Sequence, residues 1–166
     1  EADELVGDLF VDMKAGLPDK KGTVRELEWK DLLVLADTNE QVRALNDKIR
    51  DARFARDELS TEGSVSIETE IRPGERFTIQ VAIGERLLLR KTAKDAESEP
   101  IFNGDLGTVK SIDRISRVID GETVEDVQFT VDRDDGKTVK INASEYQALQ
   151  YGYAMTGHKA QGMTVK

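Results

Sequence analysis

Four polar side chains occupy six positions near the end of the sequence: Thr156, His158, Lys159 and Gln161. Gly157 and Gly162 flank the last three of them, and glycine allows a backbone to approach a phosphate closely. Lysine offers a positive charge, while the hydroxyl and the amide offer neutral donors. On this chemistry alone, a phosphate-binding turn and an ordinary exposed polar turn are equally well supported.

Other candidate sites in the sequence are better explained as turns. Gly136-Lys137-Thr138 looks like the end of a phosphate-binding loop, but the position that requires the first glycine holds Val131. The carboxylates at 132, 134 and 135 do not have the spacing of a calcium loop. Asn103-Gly104 and Gly107 are interpreted as a structural corner between strands. We therefore identify no loop that could cradle ATP.

The amino-acid composition excludes several kinds of functional site. The chain has no cysteine and one histidine, which excludes thiolate zinc sites, cysteine nucleophiles and His-rich metal sites. Lys and Arg number 24 against 33 Asp and Glu, giving a net charge of −9. Any nucleic-acid contact must therefore come from a local group of donors. No apolar run reaches the roughly 18 residues of a membrane span, so we expect no membrane insertion. The composition without cysteine permits a reducing cytoplasm, where we expect the protein.

The first part of the chain, residues 1–63, has an α/β pattern. Apolar residues from Leu5 to Met13 recur at helical spacing, and Gly16 ends that helix. The apolar run Leu32–Ala36 predicts a strand that is buried on both faces. Thr38 is a predicted N-cap with Gln41 three residues later, and it begins a helix that runs to about residue 56. Strand, turn and helix in this order predict one unit of a parallel sheet.

The pattern becomes alternating in residues 64–143 and returns to α/β in residues 144–166. Short alternating segments separated by glycine turns predict a small antiparallel barrel. The segment from Tyr151 to Thr156 is predicted to be a buried strand, and we expect it to lie beside Leu32–Ala36 in one sheet. The charged segment 91–99 is predicted to be a mobile loop.

Three segments together resemble one family of motor proteins. Residues 153–164 resemble motif V of RecD-like superfamily 1 DNA helicases, in which an apolar strand precedes Thr-x-His-Lys-x-Gln-Gly. Residues 33–46 resemble motif IV of the same proteins, and residues 103–109 are similar to the glycine turn of their inserted SH3-like barrel. The arrangement is most similar to the helicase half of TraA-type conjugative relaxases. Ala160 stands where the family often has serine, and Gly157 where it usually has a bulkier residue.

The resemblance implies an α/β fold with an inserted β-barrel. Residues 1–63 would belong to the second RecA-like P-loop NTPase motor domain (2A), carrying motif IV. Residues 64–143 would form the SH3-like barrel (2B), and residues 144–166 would return to the RecA-like sheet with motif V.

The resemblance also implies roles for individual residues. Thr156 and His158 would contact single-stranded DNA. Six other positions would lie near the nucleotide or couple the two sites: Lys159, Gln161, Gly162, Thr38, Asn39 and Arg43. ATP and Mg²⁺ would act in a longer parent helicase fused to a relaxase, with single-stranded DNA as its partner and conjugation-machinery proteins as further candidates. The chain opens at Glu1, and we expect it to be a segment with no catalytic residue and no cofactor of its own.

Two alternative functions stay open at this level. The barrel could serve as a recognition module for a protein of the transfer machinery, which the acidic balance favours slightly. The parent could instead be a degenerate helicase copy that grips DNA without hydrolysing ATP.

Overall fold

The computed structural model describes residues 2–18 and 24–161. Its first part contains the following elements in chain order: α1 (Ala2–Ala15), β1 (Leu17–Pro18), β2 (Val24–Arg25), a 3₁₀ turn (Trp29–Asp31), β3 (Val34–Ala36) and α2 (Asn39–Ala55). The antiparallel part follows as β4 (Val65–Arg72), β5 (Glu75–Val81), β6 (Arg86–Leu89), β7 (Ala93–Lys94), β8 (Pro100–Ile101), β9 (Asp105–Ile119), β10 (Glu122–Arg133), β11 (Thr138–Asn142) and β12 (Leu149–Tyr151). The described chain ends with β13 (Ala154–Thr156) and α3 (Gly157–Gln161).

Local sequence signals account for both long helices. Val6 and Phe10 bury the apolar stripe of α1, and Gly16 ends it with a φ of 73°. At the start of α2, the Gln41 backbone N–H donates to Thr38 Oγ1 at 3.2 Å, while Gln41 Oε1 accepts from the Thr38 N–H. The predicted capping box is confirmed. It satisfies backbone donors that the first helical turn would otherwise leave unpaired.

β3 and β13 form a parallel pair, as the sequence predicts. Val34, Leu35 and Ala36 lie opposite Ala154, Met155 and Thr156, respectively. The prediction that this strand is buried on both faces is wrong. Leu35 is 58% exposed and Leu33 is 36% exposed. The described sheet has only these two strands, and the helical core that contacts Val34 and Ala36 covers one of its faces.

The middle of the chain is antiparallel, but its strands do not close into the predicted barrel among the described residues. Five strands pair in the order β11-β10-β9-β6-β12, while β4 and β5 form a separate hairpin. A single backbone hydrogen bond, from Glu70 N–H to the Gln147 carbonyl at 2.9 Å, joins β4 to the residues before β12. β4 and β12 are not paired in the described sheets. The hairpin instead packs Val65, Ile67 and Val81 into the core of the five-stranded sheet.

The segment predicted as one strand from Tyr151 to Thr156 is divided between two sheets. Tyr151 belongs to β12 and lies opposite Leu87 of β6, whereas Ala154 begins the parallel strand β13. The turn between them passes so close to β6 that a Cβ on Gly152 would lie 3.0 Å from the Leu87 carbonyl carbon. Glycine at this position therefore permits the change of sheet.

The segment 91–99 is organised by one carboxylate. It contributes β7, which pairs with β8, and Asp95 Oδ1 accepts from the backbone N–H groups of Glu97 and Glu99 at 2.8 Å. Asp95 Oδ2 accepts from the Lys140 N–H at 2.7 Å. The segment predicted to be a mobile loop thus contains a short strand and a set of hydrogen bonds centred on Asp95. None of the helices in the described ranges is sufficiently long and apolar to cross a membrane.

Candidate functional site

A cleft of about 490 Å³ lies where β3 and β13 end. Its lining combines three groups of residues: Asp37, Thr38, Asn39 and Val42 from the start of α2; Met155, Thr156, His158 and Lys159 from β13 and α3; and Arg72, Leu88, Arg90 and Gln150 from the antiparallel part. The carboxyl ends of neighbouring parallel strands are a common position for ligand sites in α/β proteins.

The cleft brings together five of the residues that the sequence singles out: Thr38, Asn39, Thr156, His158 and Lys159. Residues assigned to DNA and residues assigned to the nucleotide therefore line one cavity. Arg43 is not among them, since it is exposed on α2 and does not line the cleft. Gln161 ends α3, but its side chain and all of Gly162 lie outside the described residues.

Thr156 connects the end of β13 to α3. Its Oγ1 accepts a hydrogen bond from the Lys159 backbone N–H at 3.2 Å, which fixes the turn between the strand and the helix. The His158 side chain is exposed at the mouth of the cleft. A neutral imidazole has one donor and one acceptor nitrogen, so this position suits a contact with a polar ligand.

Lys159 reaches across the cleft to the antiparallel part. Its Nζ donates to Asn103 Oδ1 at 2.6 Å. Asn103 is positioned in turn by its backbone N–H, which donates to Thr92 Oγ1 at 3.1 Å. The neighbouring Gly104 is buried, with a φ of 108°. The glycine turn interpreted from sequence as a purely structural corner thus also contacts a candidate site residue.

Three cations line the cleft without a carboxylate partner among the described residues: Arg72, Arg90 and Lys159. Burial and the charge of Arg72 lower the pKa of the Arg90 guanidinium. Burial and the charge of Arg90 lower the pKa of the Lys159 ammonium. Asp37 supplies the one carboxylate among the described lining residues. The cleft therefore concentrates positive charge on a chain whose net charge is −9.

Sequence reasoning missed Arg72, Arg90 and Gln150. Arg90 directly follows β6, and its Nη1 donates to Oε1 of Gln150 in the neighbouring strand β12 at 2.6 Å. Arg72 ends β4, directly before the Pro73-Gly74 turn. The local signal at each arginine is a basic residue at or directly after the end of a strand, which is too common to indicate a site. Arg72, Arg90 and Gln150 lie together in the cleft because of strand pairings between segments that are distant in sequence.

A second polar network holds the antiparallel part against α2. Glu85 is fully buried, and its Oε1 accepts from Arg50 Nε at 2.9 Å. The Tyr153 hydroxyl donates to Glu85 Oε2 at 2.6 Å and accepts from Arg53 Nη1 at 2.8 Å. Arg53 also donates to the Gly84 carbonyl. Since Tyr153 directly precedes β13, this network fixes the strand that leads into the cleft.

The donor set fits a phosphate better than a magnesium ion. Guanidinium and ammonium groups bind oxyanions, whereas Mg²⁺ takes oxygen ligands in octahedral geometry. Within the described ranges, no group of three or more His, Cys, Asp or Glu residues has an arrangement that could hold a metal. The described lining of the cleft therefore offers donors that suit an oxyanion.

No protein-family model matches the chain, and no curated protein matches it.

Proposed function

We propose that the chain is part of the second motor domain of a RecD-like superfamily 1 DNA helicase, of the type fused to TraA-type conjugative relaxases. Its cleft would contact the phosphate backbone of single-stranded DNA. One observation carries the proposal: residues from the segments that resemble motifs IV and V line one cleft. Thr156 and His158 are the two that the resemblance assigns to DNA, and Thr38, Asn39 and Lys159 are three that it places near the nucleotide or between the two sites.

The parallel pairing supports this proposal independently of the motif resemblance. Thr156 lies opposite Ala36 in the register of β3 and β13, so both polar segments leave the sheet at the same edge. The intervening antiparallel part returns the chain to that edge. A phosphate backbone running along it would meet hydroxyl, imidazole and ammonium donors in succession.

The electrostatics of the cleft support a local contact with nucleic acid. The whole chain is acidic, so its global field opposes DNA. The cations at the cleft provide the local donors that such a protein needs. Because few phosphates would be contacted, the binding should be weak and should fall as salt rises.

ATP and Mg²⁺ would act through other parts of the longer helicase. Phosphoryl transfer requires a phosphate cradle, metal ligands and a cation that stabilises the transition state. The sequence offers no phosphate-binding loop, since Val131 replaces the required glycine before Gly136-Lys137-Thr138. The chain by itself should therefore show no DNA-stimulated release of phosphate from ATP.

A nuclear magnetic resonance titration tests the proposed DNA contact. The ¹⁵N-labelled chain is titrated with an eight-residue oligothymidylate at low salt, and amide shifts are mapped for the wild type, Thr156→Ala and His158→Ala. Thr123→Ala is the matched control, because Thr123 is exposed on β10, away from the cleft. Shifts centred on the cleft and weakened by the two site variants would support the proposal. Absent binding, or equal binding by all variants, would contradict it.

A further inference from the structure

We infer that Arg72, Arg90 and Lys159 form a phosphate-binding site that is shared between the antiparallel part and α3. The site itself rests on these cations, whereas its identification with a DNA backbone phosphate rests on the proposed function. Arg72 and Arg90 lie outside every segment that the motif resemblance assigns to a site.

Placing three cations in one cleft costs free energy, because like charges repel. The chain has an excess of acidic residues that could have neutralised them. Other arginines do have such partners. Arg86 forms a two-point ion pair with Asp134, and Arg117 contacts Asp126. In the described ranges, no carboxylate lies within ion-pair distance of Arg72, Arg90 or Lys159, so an anionic ligand is the group that would neutralise them.

The contacts of Arg90 hold its guanidinium in place and leave donors for a ligand. Gln150 engages its Nη1, and its Nε is buried without a partner among the described residues. A guanidinium has five N–H donors, and the described residues leave most of these unused. Paired guanidinium donors match the geometry of two phosphate oxygens. The Gln150 contact therefore holds the planar group in place while leaving it free to bind.

Lys159 is positioned to share a ligand with Arg90. Its contact with Asn103 uses one of three ammonium donors and holds the side chain towards the antiparallel part, where burial and the charge of Arg90 lower its pKa. A phosphate between the ammonium and the guanidinium would join the two parts of the protein. Binding should then raise the thermal midpoint, because ligand binds only the arrangement in which both cations face the cleft.

The experiment uses two probes, one for a free phosphate and one for the phosphate of a DNA backbone. The labelled chain is titrated with inorganic pyrophosphate and, separately, with the eight-residue oligothymidylate. The variants are Arg90→Gln, Arg90→Lys and Arg72→Gln, with Arg114→Gln as the matched control. Arg114 is an exposed arginine of β9 that does not line the cleft.

We expect pyrophosphate to shift the amides around residues 72, 90 and 159. Loss of one charge-assisted contact corresponds to about tenfold or more in affinity, so Arg90→Gln should weaken binding by about that factor. Arg72→Gln should weaken it less, because its side chain is more exposed. Arg90→Lys keeps the positive charge and should retain part of the affinity. It therefore distinguishes loss of the charge from a folding defect in Arg90→Gln. Arg114→Gln should bind like the wild type.

The outcomes separate this inference from the proposed function. Pyrophosphate binding that depends on Arg90, together with no oligothymidylate binding, supports the phosphate site and contradicts the DNA proposal. Oligothymidylate binding that depends on Thr156 and His158 but not on Arg90 or Arg72 supports the DNA proposal and contradicts the phosphate site. Pyrophosphate shifts outside the cleft, or equal affinity for Arg90→Gln and the control, overturn the inference.

Discussion

The ammonium of Lys159 donates to Oδ1 of Asn103 at 2.6 Å, although 56 positions separate the two residues in sequence. Lys159 lies in the last described helix, and Asn103 lies in the glycine turn that leads into β9. The contact therefore joins the segment that resembles motif V to the inserted antiparallel part. It gives the Lys159 ammonium a defined hydrogen-bond partner within the chain.

Replacing Lys159 should reduce ligand binding far more than stability. The side chain is partly exposed and makes one described side-chain hydrogen bond, so Lys159→Ala should change the free energy of unfolding by about 0.5 kcal/mol or less. Loss of a charged contact to phosphate costs about 1.5–3 kcal/mol, which is about one to two powers of ten in affinity. Urea denaturation and the oligothymidylate titration measure the two effects.

The substitution Asn103→Ala distinguishes the effect of positioning Lys159 from the effect of its charge. It removes the acceptor that holds Lys159 but leaves the ammonium, so affinity should fall less than in Lys159→Ala. Lys110→Ala serves as the control, since Lys110 is an exposed lysine of β9. If Lys159→Ala lost binding only in proportion to lost stability, a ligand role for Lys159 would have no support.

The buried network around Glu85 should be essential for folding. Glu85→Gln removes the charge that Arg50 and the Tyr153 hydroxyl contact in a fully buried position. Breaking a buried ion pair on one side typically costs about 3–5 kcal/mol, because the remaining charge is left uncompensated. Unfolding in urea measures the loss directly.

Glu122→Gln provides the reference for that measurement. Glu122 is exposed at the start of β10, so its substitution should change stability by about 0.5 kcal/mol at most. A loss below about 1 kcal/mol in Glu85→Gln would show that the network is dispensable.

Gly152 should not tolerate a side chain. A Cβ there would lie 2.8 Å from Leu106 Cδ2 and 3.0 Å from the Leu87 carbonyl carbon. Because the second contact is with backbone, Gly152→Ala should destabilise the fold by about 1–3 kcal/mol. It should also shift the amide signals of β13, since the glycine lies where the chain changes sheets.

Gly7→Ala should have the opposite effect on stability from Gly152→Ala. Gly7 lies inside α1, and a Cβ added to it would meet no described atom within 4 Å. Alanine is favoured over glycine in a helix by about 0.5–1 kcal/mol, so this substitution should raise stability. Equal effects of the two substitutions would contradict the close packing inferred at Gly152.

The elements that the sequence predicts correctly depend on nearby residues. The Thr38–Gln41 capping box acts over three positions, and the apolar stripe of α2 repeats within the helix. The exposure of Leu35 could not be predicted in this way, because burial of a strand depends on which elements cover it. An apolar run indicates a strand but does not supply its neighbours.

The candidate site shows the same limit more strongly. The residue types at 156–161 pointed to a candidate site but left an ordinary polar surface equally well supported, and the structure places residues 157–161 in α3 and not in a turn. The expected pairing of β3 with β13 places this segment beside Thr38. Arg90 enters the cleft because β6 pairs with β12, and Arg72 because the β4–β5 hairpin packs beside them. No local pattern around either arginine encodes those long-range contacts.

Stability should fall in alkaline solution because of buried tyrosines. Burial raises the pKa of Tyr146 to about 12, although its hydroxyl accepts a hydrogen bond from the Lys91 N–H at 2.9 Å. Burial likewise raises the pKa of Tyr151 to about 12. An unfolded tyrosine ionises near pH 10. The native state therefore holds these protons more tightly than the unfolded state does.

The sign of the pH effect follows from that difference. Stabilisation by the neutral tyrosines is fully present below about pH 10 and is lost as the pH rises from about 10 to about 12. The free energy of unfolding in urea should thus decline over this interval. Tyr146→Phe removes the hydroxyl that donates to the Lys91 carbonyl at 2.6 Å, so it should be less stable at neutral pH but decline less steeply. A wild-type and variant pair with parallel alkaline declines would contradict the assignment to Tyr146.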